Sequence, residues 1–485
     1  MDNPTPTPPS PPPHVLIFPL PMQGPIKCML KLAELLCLAG GVDVTFLNTQ
    51  YNHRRLLRYA AVESRFNAYP QFRFQTVSDG LPDDHPRSLD RLGDLLKGLW
   101  TVTSPDFKEM LNSGGGSDDR RPVTCVIADG ALTFALDVAE EVGIPLIYFE
   151  TISPCGLWTY FCVHNLIQAE EIPFQGDDLD APIQGVPGME GFLRRRDLPS
   201  FCRTTDLNDP VIQLAMSECR QIPRSRGLIL NTFEELDGPI LSKMRSVCPN
   251  LYNVGPLHTH LKMRLETQST PPPLESSDSL WQEDRSCMAW LDAQPSRSVI
   301  YISIGSLAMM SMEQLVEFWH GLVNSGVRFL WVRRPNSIVG EDSMHPIQEE
   351  LLEATKERGC LVSWAPQEEV LAHQAIGGFL THSGWNSTLE SLMEGVPMIC
   401  WPYFVDQHVN SRFVSEVWKI GFDVKDTCDR MVIEKMIKDL MNVKGEEFRQ
   451  SMDRLSKSAR ESCNEGGLSF CNFNRLMEDI RSMVV

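Results

Sequence analysis

No stretch of about 18 uninterrupted apolar residues occurs in this chain, the minimum for a helix that crosses a bilayer. No basic n-region and apolar h-region open it: the first residues are "MDNPTPTPPSPPP", so a secretory leader is not expected. Positive charge is short as well. Against 63 Asp and Glu stand 44 Lys and Arg, a formal net charge of −19 that would repel the phosphates of a nucleic acid. Any anionic ligand must then be held by local groups rather than by the overall field. The 14 cysteines include no CxxC pair and no ligand-like spacing with His, which argues against a zinc site or a disulfide framework. These absences point to a reduced, cytoplasmic protein with no membrane span, no nucleic-acid partner and no metal.

What is present is enough chain for about three domains, or two large ones. At 485 residues, 42% hydrophobic and 22% charged, it can bury large cores. Residues 1–13 read as an unpacked Pro-rich tail. "HVLIFPL" then reads as a strand, "IKCMLKLAELLCLAG" as a helix and "VDVTFLNT" as a second strand, a βαβ unit that implies a parallel sheet. Met29, Leu30, Ala33, Leu36 and Cys37 share one face of that helix, and Gly40-Gly41 closes it. "TCVIADG", with "ALDVAEEVGIPLIYFE" after it, repeats the logic. Residues 258–283, containing "TQSTPPPLESSDS", read as a linker. The α/β pattern then restarts with "SVIYISIGS", "RFLWVRR", "GCLVSWAP", "IGGFLTHSG" and "VPMICWPY". Two α/β domains joined by a linker place a ligand in the cleft between them. The acidic run "GDDLDAP" at 176–182 reads as a solvated loop rather than a metal-binding motif, because no strand leads into it.

The chemistry concentrates in residues 364–407, "WAPQEEVLAHQAIGGFLTHSGWNSTLESLMEGVPMICWPYFVDQ". "FLTH" ends a strand and "SGWNSTLESLMEG" opens a helix, whose N-terminal N–H groups and positive dipole end form a ready phosphate site. His382 at that turn can donate to a phosphate oxygen. Trp364 offers a flat face for a base, Glu390 can accept from ribose hydroxyls, and Asp406-Gln407 suit a sugar. Alone, each has a bland reading as core, cap or solvated charge.

As a whole, the segment closely resembles the signature box of the plant family-1 UDP-sugar glycosyltransferases, from its opening Trp to its closing Gln. "NHRRLL" at 52–57, "RFQTVSDGLPDDHPR", "VPGMEGFLRRRDLPSF", "LILNTFEELD", "NVGPL" and "SFCNFNRLMEDI" extend the resemblance over most of the chain. Their character is that of members glycosylating terpenoids, notably the 7-deoxyloganetic acid glucosyltransferases and their relatives. The resemblance implies an α/β GT-B fold of two Rossmann-like domains with parallel sheets facing a central cleft. Residues 14–257 would bind the acceptor, 284–462 would bind the UDP-sugar, and 463–485 would return to the N-terminal domain. Trp364 would stack on uracil and the Ala365 backbone would pair with its edge. Gln367 and Glu390 would hold ribose; His382, Asn386, Ser387 and Ser306 the diphosphate; Trp385, Asp406, Gln407 and Thr151 the sugar. The final Gln implies UDP-glucose as donor substrate, with no cofactor, no metal and inversion at the anomeric carbon. The expected state is a monomer with a small-molecule acceptor.

One position departs. Members of the family read P-x-Q-G-H-x-x-x-M-L where this chain has Pro21-Met22-Gln23-Gly24-Pro25-Ile26-Lys27-Cys28-Met29-Leu30. The family's general base, the His of a His–Asp dyad, is therefore Pro25, while its partner survives as Asp129. Proline tolerates the first turn of a helix but carries no proton. Three readings stay open: an active enzyme in which Asp129 acts directly or through water, or whose acceptor is acidic; a non-catalytic binder of UDP-sugar or terpenoid; and an enzyme with another catalytic residue from an acceptor loop.

Overall fold

The computed structural model describes residues 11–113, 121–267, 277–335, 337–338, 353, 356–426 and 428–483. Of the Pro-rich tail, residues 1–10 lie outside that set, and Pro13 is already tied down, its carbonyl accepting from the Asp43 N–H at 2.8 Å. Seven strands form the first sheet: β1 (His14–Phe18), β2 (Asp43–Thr49), β3 (Phe72–Val77), β4 (Cys125–Asp129), β5 (Leu146–Glu150), β6 (Gly227–Leu230) and β7 (Leu251–Asn253). Their order is β3-β2-β1-β4-β5-β6-β7, parallel throughout. The second sheet has β8 (Val299–Ser303), β9 (Arg328–Val332), β10 (Gly359–Val362), β11 (Ile376–Thr381), β12 (Met398–Cys400) and β13 (Gly421–Asp423). Its order is β10-β9-β8-β11-β12-β13, again parallel. Helices cover both faces of a parallel sheet, so its central strands are apolar without alternation. β1, β4, β5 and β8 are buried at every position.

Strand order reverses between β1 and β4 in one sheet and between β8 and β11 in the other. Ligands of open parallel sheets bind at such switch points, beyond the carboxyl ends of the strands. Here the turns leaving all four strands border one cleft. The helix Gln23–Ala39 starts at the first of these turns, with Met29, Leu30, Ala33, Leu36 and Cys37 all buried. Pro25 is its third residue, where a backbone N–H has no helical partner to lose.

The segment that composition marks as a linker opens instead with a helix, Leu257–Glu266, which buries Leu257, Thr259, His260 and Leu261. Its scattered apolar positions hide it from a periodicity search. Residues 277–283 are docked as well: Gln23 donates to the Asp278 carbonyl at 3.0 Å and accepts from the Leu280 N–H at 2.7 Å. The last helix, Leu468–Ser482, lies against the first sheet, placing Phe473, Leu476, Met477 and Ile480 in the cluster that contains Val15, Ile17 and Tyr252.

A chain of charges also crosses between the domains. Lys27 pairs with Glu390 at 2.7 Å and Glu368 at 2.8 Å, Lys31 with Glu368 and Asp278 at 3.1 Å each, and Arg65 with Asp278 at 2.6 Å. Glu390 is 3% exposed and Lys27 19%, so each charge depends on its partner. Burial raises the Glu390 pKa, with Lys27 acting against it. Removing Lys27 must raise it further. Lys27→Met should therefore destabilise the fold by roughly 3–5 kcal/mol at pH 8, where the carboxylate stands uncompensated. The loss should shrink towards pH 5 as Glu390 takes up a proton. Thermal unfolding at the two pH values measures this, and an equal drop at both would refute the charge pairing.

Candidate active site

The cleft encloses about 960 Å³ and is walled by both domains. On the second sheet, the turn after β8 carries Gly305 and Ser306, and the turn after β11 carries His382, Ser383 and Gly384. Gly384 caps the helix Trp385–Met393 without any side-chain hydrogen bond, so its first N–H groups and the positive end of its dipole remain open. The His382 ring is wedged between two glycines. A Cβ at Gly305, whose φ is +78°, or at Gly384 would fall 2.5 Å from His382 Nε2. Burial, reinforced by Arg334, pushes the His382 pKa down to about 4. At neutral pH the imidazole is uncharged and donates a single N–H.

The other residues expected at the nucleotide come together beside it. Trp364 stacks one face on Trp281, with centroids 5.7 Å apart, and Ala365 follows it into the cleft wall. Gln367 Nε2 donates to Ser387 Oγ at 2.9 Å and to Glu390 Oε2 at 2.8 Å, while Lys27 holds Glu390 Oε1. Asn386 Nδ2 donates across the cleft to the Gly24 carbonyl at 3.0 Å, one residue before Pro25.

The sugar-side residues divide. Trp385 borders the cleft, and its indole packs against Trp418 and donates to the Asn231 carbonyl at 2.9 Å. Its backbone N–H is what it can offer a ligand. Asp406 Oδ2 accepts from the Ser153 N–H at 3.1 Å and from Asn410 at 2.8 Å, and burial raises its pKa to about 6. Gln407 spends its oxygen on the N–H groups of Tyr403 and Phe404, at 2.9 and 3.2 Å. That orients its amide nitrogen as the free end. Thr151 Oγ1 donates to Asp129 Oδ2 at 2.9 Å.

Pro25 and Asp129 both border the cleft, and the pyrrolidine ring supplies no group that could exchange a proton with the carboxyl. Asp129 Oδ1 accepts from the Ala131 N–H at 3.0 Å. Burial, and next the negative charge of Glu150, push its pKa up to about 8. Beyond it the wall is apolar, with Leu20, Leu92, Leu96, Phe201, Val211 and Leu214.

Sequence reasoning passed over Lys27, Trp281, Glu150 and Glu218, all four near these groups. Lys27 and Trp281 act across domain or segment boundaries, and Glu218 comes from the helix Pro210–Gln221. Only Glu150 carried a signal: it ends a strand beside a switch point and immediately precedes Thr151.

Known proteins resemble this chain in sequence and fold. Residues 278–462 match the family model described as UDP-glucoronosyl and UDP-glucosyl transferase. A 7-deoxyloganetic acid glucosyl transferase of Catharanthus roseus is 56% identical over 476 residues, 98% of each chain. A myricetin 3-O-rhamnoside 1,2-glucosyltransferase of Crocosmia x crocosmiiflora is 46% identical, covering 97% of this chain and 96% of that one. Among solved structures, Os79 of O. sativa in complex with UDP superposes with a TM-score of 0.80 at 28% identity, covering 96% of this chain and 100% of its own. A UDP-glucose:anthocyanidin 3-O-glucosyltransferase in complex with UDP gives 0.78 at 27%, with 97% and 99% covered. With two parallel sheets meeting at their switch points and relatives matched end to end, the chain belongs to the plant family-1 UDP-sugar glycosyltransferases and is a GT-B enzyme that uses a UDP-sugar.

Proposed function

We propose that this enzyme transfers glucose from UDP-glucose, with inversion, to a hydroxyl, hemiacetal or carboxyl group of a small terpenoid or iridoid-type acceptor. The observation that carries this reading is the end-to-end likeness to the Catharanthus roseus enzyme, combined with a donor side in which the residues for base, ribose and diphosphate adjoin one another. Trp364 takes uracil on the face opposite Trp281, the Ala365 backbone pairs with its edge, and Gln367 with Glu390 holds the ribose. The open helix end at Trp385–Met393, with Asn386, Ser387, Ser306 and His382, receives the diphosphate. Neutral His382 and those N–H groups stabilise the negative charge that develops on the departing UDP, and no divalent metal is required. The Trp385 N–H, Asp406, the Gln407 amide and Thr151 border the glucose. The apolar wall fits a lipophilic acceptor of low charge. The enzyme acts as a cytoplasmic monomer.

His382→Ala should lower kcat by ~10²–10³, the usual cost of removing one donor from a developing anion. Steady-state kinetics with an excess of UDP-glucose measures it, and an unchanged kcat would remove His382 from the reaction. Activity should survive EDTA. Complete loss, restored by Mn²⁺, would overturn the metal-free reading. The whole proposal is tested by incubating the purified chain with UDP-glucose and an acceptor panel, with products read by mass spectrometry. Calorimetric binding of UDP-glucose without product from any acceptor would make the chain a binding protein.

Pro25→His places an imidazole of ordinary pKa, about 6.5, in the first turn facing the cleft. The variant should gain most on simple alcohols, where proton removal is hardest, and least on carboxylic acids already ionised at neutral pH. If the gain is uniform across acceptors, proton removal is not what the native site lacks.

A further inference from the structure

Residues 277–283 reach the nucleotide side of the cleft and are held there by the first domain. Gln23 brackets them, donating to the Asp278 carbonyl at 3.0 Å and accepting from the Leu280 N–H at 2.7 Å. The Ser277 N–H donates to the Ala60 carbonyl at 3.1 Å. Asp278 pairs with Arg65 at 2.6 Å and with Lys31 at 3.1 Å. Arg55, on the helix Gln50–Tyr59, donates through Nε to the Leu280 carbonyl at 2.9 Å. All five partners belong to the domain of the first sheet.

What this segment presents to the second domain is Trp281. Its ring centroid lies 5.7 Å from that of Trp364, with 25° between the planes, an offset stack. Main chain joins the two residues as well, the Asp284 N–H donating to the Trp364 carbonyl at 2.9 Å. Trp364 borders the cleft and Trp281 does not, so the stack backs Trp364 on a face it does not offer to a ligand. Two guanidinium groups lie within cation–π reach of the Trp281 ring. Arg55 of the first domain is 4.5 Å from its centroid, and Arg334 of the second is 5.9 Å away. Arg334 in turn donates to the Gly305 and Ala308 carbonyls, at 2.8 and 2.5 Å, in the turn after β8.

An indole with one bare face and nothing behind it turns freely about its side-chain torsions. A base gains most from a face already fixed parallel to it, because the ordering cost is then absent from the binding step. Resting on the placement of uracil on Trp364 given above, we propose that Trp281 is a positioning residue for the donor. It holds Trp364 in the plane that receives the base, and Arg55 ties that platform to the acceptor domain. Base recognition then belongs to both domains: the second supplies the ring that touches uracil, and the first fixes the orientation of that ring. Separation of the domains would take Trp281 off Trp364, so the base site is complete only in the assembled cleft.

The test uses the full chain, with UDP and inorganic pyrophosphate as calorimetric probes and steady-state kinetics beside them. Trp281→Ala should weaken UDP by roughly tenfold and leave pyrophosphate, which has no base, unchanged. The KM for UDP-glucose should rise by the same factor with kcat kept, since uracil is held alike in the ground and transition states. Trp281→Phe retains a ring that can stack and should recover most of the affinity, and it serves if the alanine variant fails to fold. Arg55→Met, in the other domain, should weaken UDP by about threefold. Added to Trp281→Ala it should cost little more, because both act through one stack. Full UDP affinity in Trp281→Ala would overturn the assignment, as would equal weakening of UDP and pyrophosphate, which marks general damage to the cleft. Additive losses would overturn the tie through Arg55. Trp364→Ala checks the underlying placement separately: it should weaken UDP at least as much as Trp281→Ala, and undiminished affinity there would refute the uracil site itself.

Discussion

A parallel sheet delivers the carboxyl ends of all its strands to one edge, and this protein is organised by pressing two such edges together. The turns after β1 and β4 meet those after β8 and β11, and the Asn386–Gly24 hydrogen bond marks how close the approach is. Everything else follows from that meeting. Strand ends carry side chains with no helix or neighbouring strand above them, so functional groups gather there without disturbing the core. The interdomain contacts, from Lys27–Glu390 to Asp406–Ser153, are also the walls of the site. Stability and ligand binding therefore draw on the same residues.

That sharing explains how a chain of net charge −19 can accept an anionic UDP-sugar. Its long-range field opposes the ligand, but short-range dipoles dominate inside a cleft shielded from water. The uncapped helix end and a neutral imidazole supply N–H groups without adding a cation that would itself need a counterion. Of the cations bordering the cleft, Lys27 and Lys31 are matched by Glu390, Glu368 and Asp278, Arg65 by Asp278 and Arg285 by Glu369. Glu390 is already oriented by Gln367 and Lys27, so under the proposed function it would have little freedom left to lose on meeting a ribose.

Much of the fold is legible in the sequence because buried parallel strands announce themselves as short apolar runs. "HVLIF", "CVIAD", "LIYFE" and "VIYIS" need no partner to be recognised. β13 is three residues long with two of them only half-buried, and the helix Leu257–Glu266 buries scattered positions, so neither carries a period worth reading. That Trp364, Gln367, His382 and Glu390 border one cleft is equally legible, because they lie within one continuous stretch of chain. The acceptor side is not. Glu150 and Glu218 are 68 positions apart by their numbering and become neighbours only through the packing of a helix over a strand end. Lys27 likewise gains its meaning from Glu390, a residue of the other domain.

Pro25 brings these two kinds of information together. Read locally, it is a ring that the first helical turn accepts without strain and that carries no proton. Read in space, it lies in a cleft whose opposite corner concentrates buried acid. A histidine at position 25 would face Asp129, and an imidazolium there would stabilise the ionised forms of the nearby carboxyls and lower their pKa values. Without that cation, burial and mutual repulsion hold Asp129 near 8 and Glu218 near 7. The substitution thus alters more than one side chain. With no imidazolium beside them, these buried carboxyls keep pKa values far above the ordinary carboxylate range.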